Sequence, residues 1–363
     1  MELLSYKEGI VTRINESDDQ VAWVNVEVEG ESAKAVNYNA ITGYVNEGDK
    51  VVLNTTAIEL GLGTGGYHFI IFNYKNKEHS ITKGLGHIMK LRYTPLQFKC
   101  FAAEEQDSKY HEEFKSFKSL KGSIYIVGTL HSMLAPIAAV IKNLRPELNI
   151  TYIMTDAGAL PLHFSKTVKL LKDKEIIKNT ITVGHAFGGD IECVNIYTGI
   201  IAAKVVANSD ITIITMGPGI VGTDTKYGFS GIEQGYIIDA INNLGGISLA
   251  VPRISFADKR ERHQGISHHT LTILNEVANT KTNLVLPVIK GDYAEFIDLQ
   301  IKENNINNKH NIIFENGSDI IKALNYYGLE VKTMGRGYYD DEVFFLALGA
   351  AAKASIRLLE NVQ

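Results

Sequence analysis

Short apolar segments recur between residues 124 and 251, and each one is followed by a burst of glycine, histidine or charged residues. The segments are residues 124–127, 150–154, 181–183, 211–216 and 247–251. They are rich in β-branched residues and lead into helix-period stretches, as the strands of a parallel α/β sheet do. Because the carboxyl ends of parallel strands share one edge of a sheet, we expect the bursts to meet in one crevice.

Helical periodicity fills the intervals between these strands. The predicted helices are residues 133–143, 164–173, 192–207, 232–243, 268–279 and 340–359, and two more strands are predicted at 284–289 and 312–314. This order predicts an α/β fold with a mostly parallel, Rossmann-like sheet and helices on both faces. In the last helix, residues 349–352 allow close packing against the sheet or a second subunit, so a homo-oligomer is one expectation.

The first part of the chain has a different pattern. Residues 21–29 alternate between apolar and polar side chains, and turn-forming residues follow at intervals. Short strands at this spacing predict a small all-β, barrel-like domain. We therefore expect a β-barrel-like domain over residues 1–80, a β extension and linker over 81–122, and the Rossmann-like domain over 123–363.

Composition narrows the function classes. A net charge of -5 without a dense Lys/Arg stripe argues against nucleic-acid binding. The apolar run at residues 343–352 is too short to span a bilayer, and the N-terminus does not resemble a signal peptide. The chain has 2 cysteines, too few for a disulfide framework. We expect a cytoplasmic protein that binds neither nucleic acid nor membrane.

The first two bursts contain candidate anion and proton-transfer groups. Thr129 and His131 follow the first strand where a helix begins, and free N–H groups there suit an anion, although helix capping explains them equally well. Asp156 follows the second strand. It is suited to bind a ribose, hold a cation or act as a base, and the alternative is an Asx-turn.

The third burst, residues 184–190, is the densest. His185 is the preferred acid or base, Asp190 is expected to orient it, and Gly188 and Gly189 let the backbone approach a ligand. The alternative is a plain loop in which Asp190 is the N-cap of a helix beginning at Glu192.

The fourth burst, residues 217–224, reads GPGIVGTD. Its letters match a dinucleotide fingerprint, but the next helix is predicted to start only near residue 231, which argues against classical NAD binding. Gly217, Gly219, Gly222 and Thr223 are instead expected to form an anion nest, with a structural loop as the alternative.

The fifth burst is the most polar stretch of the chain. Arg253, Asp258, Arg260 and His263 are predicted to bind a phosphate or carboxylate, and a solvated loop with internal ion pairs is the alternative. Metal binding is a less favoured alternative for the histidines and aspartates of these bursts. The imidazole and carboxylate groups do not follow a recognised spacing, and adjacent residues such as 268 and 269 are expected to point to different faces of a helix. The groups considered are His185, Asp190, His263, His268 and His269.

Two further bursts lie outside the predicted sheet, at residues 59–69 and 86–95. In a barrel-like domain, the glycines of these segments permit sharp bends of the chain. If the segments instead face the crevice, Lys90 and Arg92 extend a cationic site there.

Long strings in the chain resemble an uncharacterised bacterial family, family 3866 among the domains of unknown function. They are LNTTAIELGLGTGGYH (53–68), GHIMKLRYTPLQ (86–97), GHAFGGD (184–190), GFSGIEQG (228–235) and RISFAD (253–258). The resemblance implies a bacterial cytoplasmic protein and supplies no activity or catalytic residue.

Two classes of function follow from these residues. The first is an enzyme that binds a small phosphorylated or carboxylated metabolite or a nucleotide at the strand carboxyl ends, with His185 or His131 moving protons. The second is a non-catalytic ligand-sensing or interaction protein that uses the same residues without chemistry. The sequence identifies no cofactor.

Overall fold

The chain divides into two compact units. The computed structural model describes residues 3–63, 65–78, 80–81 and 83–362. The first unit comprises Met1–Leu85 and Leu91–Phe98, and the second comprises Gly86–Lys90 and Lys99–Gln363. Residues 99–122, expected as part of a linker, belong to the second unit because Ala103 and Leu120 are buried in its core.

The first unit contains a closed barrel of five strands, in agreement with the predicted barrel. Neighbouring strands run antiparallel except β3 and β5, which are parallel. Alternate residues such as Val24 and Val26 fill the interior, which explains the alternating pattern. The elements are β1 (Tyr6–Ser17), β2 (Val21–Val28), β3 (Glu31–Tyr38), α1 (Asn39–Thr42), β4 (Lys50–Asn54), α2 (Thr56–Glu59) and β5 (His68–Asn73).

Three short elements follow: β6 (Ile88–Lys90), β7 (Phe98–Cys100) and α3 (His111–Lys115). The alternating run at residues 88–93 forms a strand only as far as Lys90, because Leu91 and Tyr93 adopt φ values of 49° and 61°. Lys90 is 1% exposed. Its Nζ donates to the carbonyl oxygen of Ala186 and to the carboxylate of Glu192, each at 2.5 Å. Lys90 is therefore neutralised inside the second unit.

The second unit is built on an eight-stranded sheet in which all paired strands are parallel. The predicted fold class is confirmed. The strand order is β11-β10-β9-β12-β8-β13-β16-β17. The strands are β8 (Ile124–Val127), β9 (Ile150–Thr155), β10 (Asn179–Thr182), β11 (Ile191–Glu192), β12 (Ile211–Met216), β13 (Ile247–Ala250), β16 (Asn283–Pro287) and β17 (Asn311–Glu315), with a separate pair of β14 (Ile254–Ser255) and β15 (Gly265–Ile266).

Helices cover both faces of this sheet. One apolar cluster joins it to α4, α5, α11 and α12, and the other joins it to α6, α7 and α9. Gly317 and Gly349 bring the segment before α11 and α12 together so closely that a Cβ on Gly349 would lie 2.3 Å from the Gly317 carbonyl oxygen. The helices are α4 (Leu134–Leu144), α5 (Lys166–Asp173), α6 (Ile196–Val205), α7 (Glu233–Asn243), α8 (His268–Thr272), α9 (Asp292–Glu303), α10 (Ile306–Lys309), α11 (Asp319–Tyr327) and α12 (Glu342–Val362).

Two departures from the predicted elements bear on the site. The helix expected from residue 192 begins at Ile196, because residues 191–192 pair with β10 and Asn195 caps the helix through the N–H groups of Tyr197 and Thr198. Helices α9, α10 and α11 were not predicted.

Within the described ranges, none of the helices has the length and apolar character that crossing a bilayer requires.

The topology reverses direction at two neighbouring strands in the middle of the sheet. From β8 the chain continues to β9 on one side, and from β12 it continues to β13 on the other side, although β8 and β12 are paired. Each connection passes over the other strand, and the helices that they contain, α4 and α7, cover opposite faces of the sheet. Ligands of open α/β sheets bind outside the carboxyl ends of strands at such a switch point.

Candidate functional site

A cavity of about 420 Å³ lies at the carboxyl ends of β8 and β12. Its wall is formed by residues that follow these strands, by the first residues of α5 and by the loop after α11. The side chains and loops used below are His131, Ser165, Lys166, Gly217, Gly219 and Lys332. The cavity brings together His131 and the Gly217 loop, two of the features that the sequence predicted to converge.

Glycine is required where two strand-end loops touch by their backbones. A Cβ on Gly217 would lie 2.5 Å from the carbonyl oxygen of Ala159, and a Cβ on Gly158 would lie 2.4 Å from the carbonyl oxygen of Gly217. The N–H of Ala159 donates to the carbonyl oxygen of Pro218 at 2.7 Å. Packing between loops thus explains Gly217, whereas Gly219 has φ 103° and open space around its Cα.

His131 is paired with a serine at the cavity wall. Its Nε2 lies 2.6 Å from Oγ of Ser165, and its Nδ1 lies 3.3 Å from the carbonyl oxygen of Met216 and 3.2 Å from the hydroxyl of Tyr152. A carbonyl oxygen can only accept, so Nδ1 carries the proton and Nε2 accepts the Ser165 hydroxyl proton. This is the arrangement of a general base beside a hydroxyl nucleophile.

Burial keeps His131 neutral. It lowers the pKa of His131 to about 4, and the hydrogen bond to the Met216 carbonyl acts in the opposite direction. An anion bound beside the ring would stabilise the imidazolium and raise that pKa. A bound anion would therefore make this imidazole a stronger base.

The start of α5 adds positive charge to the cavity wall, which also contains Glu330. Ser165 is the N-cap, since its Oγ accepts from the N–H of Val168 at 3.1 Å. The N-terminal end of a helix dipole attracts anions, and the side chains of Lys166 and Lys332 also contribute to the wall. Sequence reasoning missed Ser165, although a serine directly before a helix-period stretch is a recognisable capping signal.

A second group of polar residues lies at the ends of β9 and β10. The N–H of His185 donates to the Asp156 carboxylate at 2.9 Å, and the hydroxyl of Thr155 donates to the buried Glu233 at 2.5 Å. Burial raises the pKa of Glu233 to about 7, and the charge of Asp156 adds to this. Glu233 was not predicted, although it lies within the GFSGIEQG string.

Asp190 lies apart from these groups. Its carboxylate accepts from the N–H and hydroxyl of Thr180 and from Lys172 Nζ, at 2.6–2.9 Å. The cause is the register of β11, which pairs Ile191 with Ile181 and so places Asp190 near the start of β10, whereas His185 follows its end. These contacts give Asp190 a structural role. It is not the N-cap of α6, which is Asn195.

The glycines of the third burst are also engaged in packing. The N–H of Gly188 donates to Glu192 at 2.7 Å, and the N–H of Gly189 donates to the hydroxyl of Thr182 at 3.1 Å. Their backbone N–H groups therefore form hydrogen bonds at the edge of the sheet.

The Gly217 loop also has internal hydrogen bonds. The hydroxyl and the N–H of Thr223, the residue after Gly222, both donate to the carbonyl oxygen of Gly228. Thr129 is buried.

The predicted arginine site is an internal ion-pair network. Arg253 and Arg260 each donate to the buried carboxylate of Asp258 at 2.8 Å. These contacts, the hydrogen bonds from Arg260 first among them, hold the pKa of Asp258 far below its usual range. These contacts agree with the alternative interpretation of the fifth burst, a loop with internal Asp/Arg pairs. They differ from it in one respect, because Arg253 and Asp258 are buried and not exposed to solvent.

Three histidines meet beside this network. His263, His268 and His269 each offer a ring nitrogen, and these atoms lie within 4.8 Å of one another. The expectation that adjacent His268 and His269 diverge is wrong, since their ring centroids are 4.2 Å apart. Burial, followed by the neighbouring cations or histidine, lowers the pKa of His263 and of His269 to about 3. All three are neutral at pH 7.

Comparison with known proteins identifies the family but no activity. The model of the family described as "Protein of unknown function (DUF3866)" matches residues 34–352. The chain belongs to this family. A search of the curated proteins found no match. The cavity, the His131–Ser165 pair and the histidine cluster all lie within the matched region.

Proposed function

We propose that this member of the DUF3866 family is an enzyme that acts on a small phosphorylated or carboxylated metabolite in the cavity at the strand carboxyl ends. The observation that carries the proposal is the 2.6 Å contact between His131 Nε2 and Ser165 Oγ at the wall of that cavity. A base and a hydroxyl in reach of one ligand are what group transfer requires, whereas a sensor needs only binding groups.

The chemistry follows from the positions of the protons. His131 Nε2 takes the proton of the Ser165 hydroxyl, and Oγ forms a bond to the electrophilic carbon or phosphorus of the substrate while the bond to the leaving group breaks. The imidazolium gives its proton to the leaving group. A water molecule, deprotonated by the same imidazole, then cleaves the seryl ester, and the proton returns to Oγ of Ser165. The positive end of α5 and the lysines at the wall, Lys166 and Lys332, would hold the anionic group of the substrate and favour the negative charge that develops at Oγ.

Binding is tested with a panel of small anions. Thermal melting of the full chain would be followed with nucleoside monophosphates, sugar phosphates and dicarboxylates. We expect one class to stabilise the protein by about 2.7 kcal/mol when present at 100 times its Kd. Lys332→Gln should weaken this effect, whereas Lys174→Gln, at the other end of α5, should not. Equal responses of the two variants would contradict the proposed binding site.

Catalysis is tested separately. A fluorophosphonate probe should label Ser165, as located by peptide mass spectrometry. Ser165→Asn keeps a good N-cap but removes the hydroxyl, so it should fold and lose labelling, while Ser165→Thr should retain part of it. His131→Gln should slow labelling by about 100-fold or more. Ligand binding without labelling or turnover would contradict the enzyme and leave the ligand sensor.

A further inference from the structure

The three histidines lie outside the cavity and have no part in the proposed function. His263 ends a 3-10 turn at Glu261–His263, and His268 and His269 are the first two residues of α8. Between them lies the short strand β15, which pairs antiparallel with β14. The three imidazoles come from one short segment, and their ligand atoms lie within 4.8 Å of one another.

Neighbouring groups hold two of the three rings. Nδ1 of His263 lies 2.8 Å from Oγ of Ser267, which also caps α8 through the N–H of His269. The ring of His269 stacks on Phe229, with centroids 3.9 Å apart and planes at 10°. Ligand side chains held by such outer contacts are preorganised for a metal ion.

One nitrogen in the cluster has no hydrogen-bond partner among the residues that the structure describes. It is Nε2 of His268, which is buried. Burying a polar atom without a partner costs free energy, and the cost is larger where neighbouring imidazoles direct further lone pairs to the same place. This cost is removed by an electrophile that accepts a lone pair from each of the three imidazoles. A metal ion can accept all three lone pairs, whereas a proton can be bound by one nitrogen or shared between two.

We propose that His263, His268 and His269 bind one Zn²⁺ ion. Imidazole is a preferred zinc ligand, and Zn²⁺ imposes no geometric preference through its d electrons. At Zn–N distances of about 2.0–2.1 Å, tetrahedral ligand atoms lie about 3.3 Å apart. The ligand atoms of the three histidines lie within 4.8 Å of one another, so ring movements that shift each atom by about 1 Å would bring all three to bonding distance of one ion. Three protein ligands leave the fourth position for water or an anion.

The charges around the cluster favour an anionic fourth ligand. Arg253 lies 3.4 Å from Nδ1 of His263, but it is paired with Asp258, and Arg262 is paired with Asp224. Arg260 shares the same Asp258. The network thus contains more cations than carboxylates, so hydroxide or a small anion would offset the charge of the ion.

The test measures metal binding itself. The full chain, treated with a chelator and dialysed, would be titrated with Zn²⁺ by isothermal calorimetry, and with Co²⁺ by visible absorption. We expect one Zn²⁺ per chain and Co²⁺ d–d bands of a tetrahedral nitrogen site. His268→Gln should weaken binding by at least about tenfold, because loss of a ligand exceeds the loss of an outer contact. His87→Gln, an exposed histidine elsewhere, is the control.

Several outcomes would overturn the proposal. They are a wild-type chain without stoichiometric Zn²⁺ binding, a Co²⁺ spectrum of an octahedral aqua ion, or equal affinities in His268→Gln and His87→Gln. If circular dichroism shows that His268→Gln does not fold, His263→Gln replaces it, and the wild-type Co²⁺ spectrum decides independently. Because the readout is metal affinity, failure here leaves the Ser165 labelling experiment unaffected, and failure of that labelling leaves the zinc site standing.

Discussion

Replacing Glu233 by glutamine should make the protein more stable at neutral and alkaline pH. Glu233 is 5% exposed, and its partner in the structure is the hydroxyl of Thr155 rather than a cation. Burial raises the pKa of this carboxyl from 4.5 to about 7. The glutamine amide oxygen can accept the same hydrogen bond and carries no charge, so the variant avoids the cost of ionising a buried acid.

The sign and size of the effect follow from proton linkage. Between pH 4.5 and about 7 the folded state binds more protons at Glu233 than the unfolded state does, so wild-type stability falls as the pH rises through this window. A rise in pKa from 4.5 to about 7 corresponds to about 3 kcal/mol of folding free energy. The Glu233→Gln variant does not lose this stability as the pH rises, because its amide does not ionise. The two proteins should therefore be similarly stable at pH 4, and the variant should be more stable by up to about 3 kcal/mol at pH 8.

The assay is urea unfolding of both proteins from pH 4 to pH 8. Far-UV circular dichroism is the suitable probe, because the single tryptophan, Trp23, lies in the first unit and Glu233 in the second. The difference between the two curves cancels the contributions of all other titrating groups. A difference that stays constant across this pH range would refute the argument, since it would mean that the carboxyl titrates alike in the folded and unfolded states.

Three further predictions concern the same unit. The first concerns His131→Asn. Because burial lowers the pKa of His131 to about 4, the stability of the wild type relative to this variant should fall by about 3 kcal/mol as the pH drops from 6.5 to 4. A difference in unfolding free energy that does not change with pH in urea unfolding would contradict this. Asp258→Asn should cost about 3–5 kcal/mol in the same assay, since it leaves the buried Arg253 without its carboxylate, and a loss below about 1 kcal/mol would mean that the pair is not buried as described. Gly349→Ala should destabilise the chain by about 1–3 kcal/mol or more through its contact with Gly317, whereas Gly63→Ala, which meets open space, should stay within about 0.5 kcal/mol; equal melting temperatures of the two variants would exclude the close contact.

The pattern of apolar residues predicted the sheet well because its strands are buried on both faces. The bounds of β8 and β12 agree with the predicted segments to the residue. Helices such as α9, which mixes exposed aromatic and charged residues, have a weaker signal and were missed. Local pattern thus predicted the strands of the sheet other than β11, and it predicted α12, but it missed α9, α10 and α11.

The contents of the site were harder to predict. His131 and Gly217 share the cavity because both follow neighbouring strands, which the strand-end argument anticipates. Asp190 does not join them, since its position depends on the register of the two-residue strand β11, and so short a segment has no periodicity to read. The meeting of His268 and His269 with His263 depends on the path of the chain through β15, whose pairing with β14 is a tertiary feature that helix periodicity does not encode.

The burial of Lys90 limits how this chain can be cut and recombined. Residues 86–90 belong to the second unit, although residues 91–98 return to the first. A fragment that begins at residue 99 would lack the ammonium group that neutralises Glu192, so it would expose a charge defect at the sheet edge. A gene crossover after residue 98 would likewise separate Lys90 from Glu192, and one before residue 86 would separate residues 91–98 from the rest of the first unit. The two units should therefore be inherited together, and the match of one family model across residues 34–352 agrees with such joint inheritance.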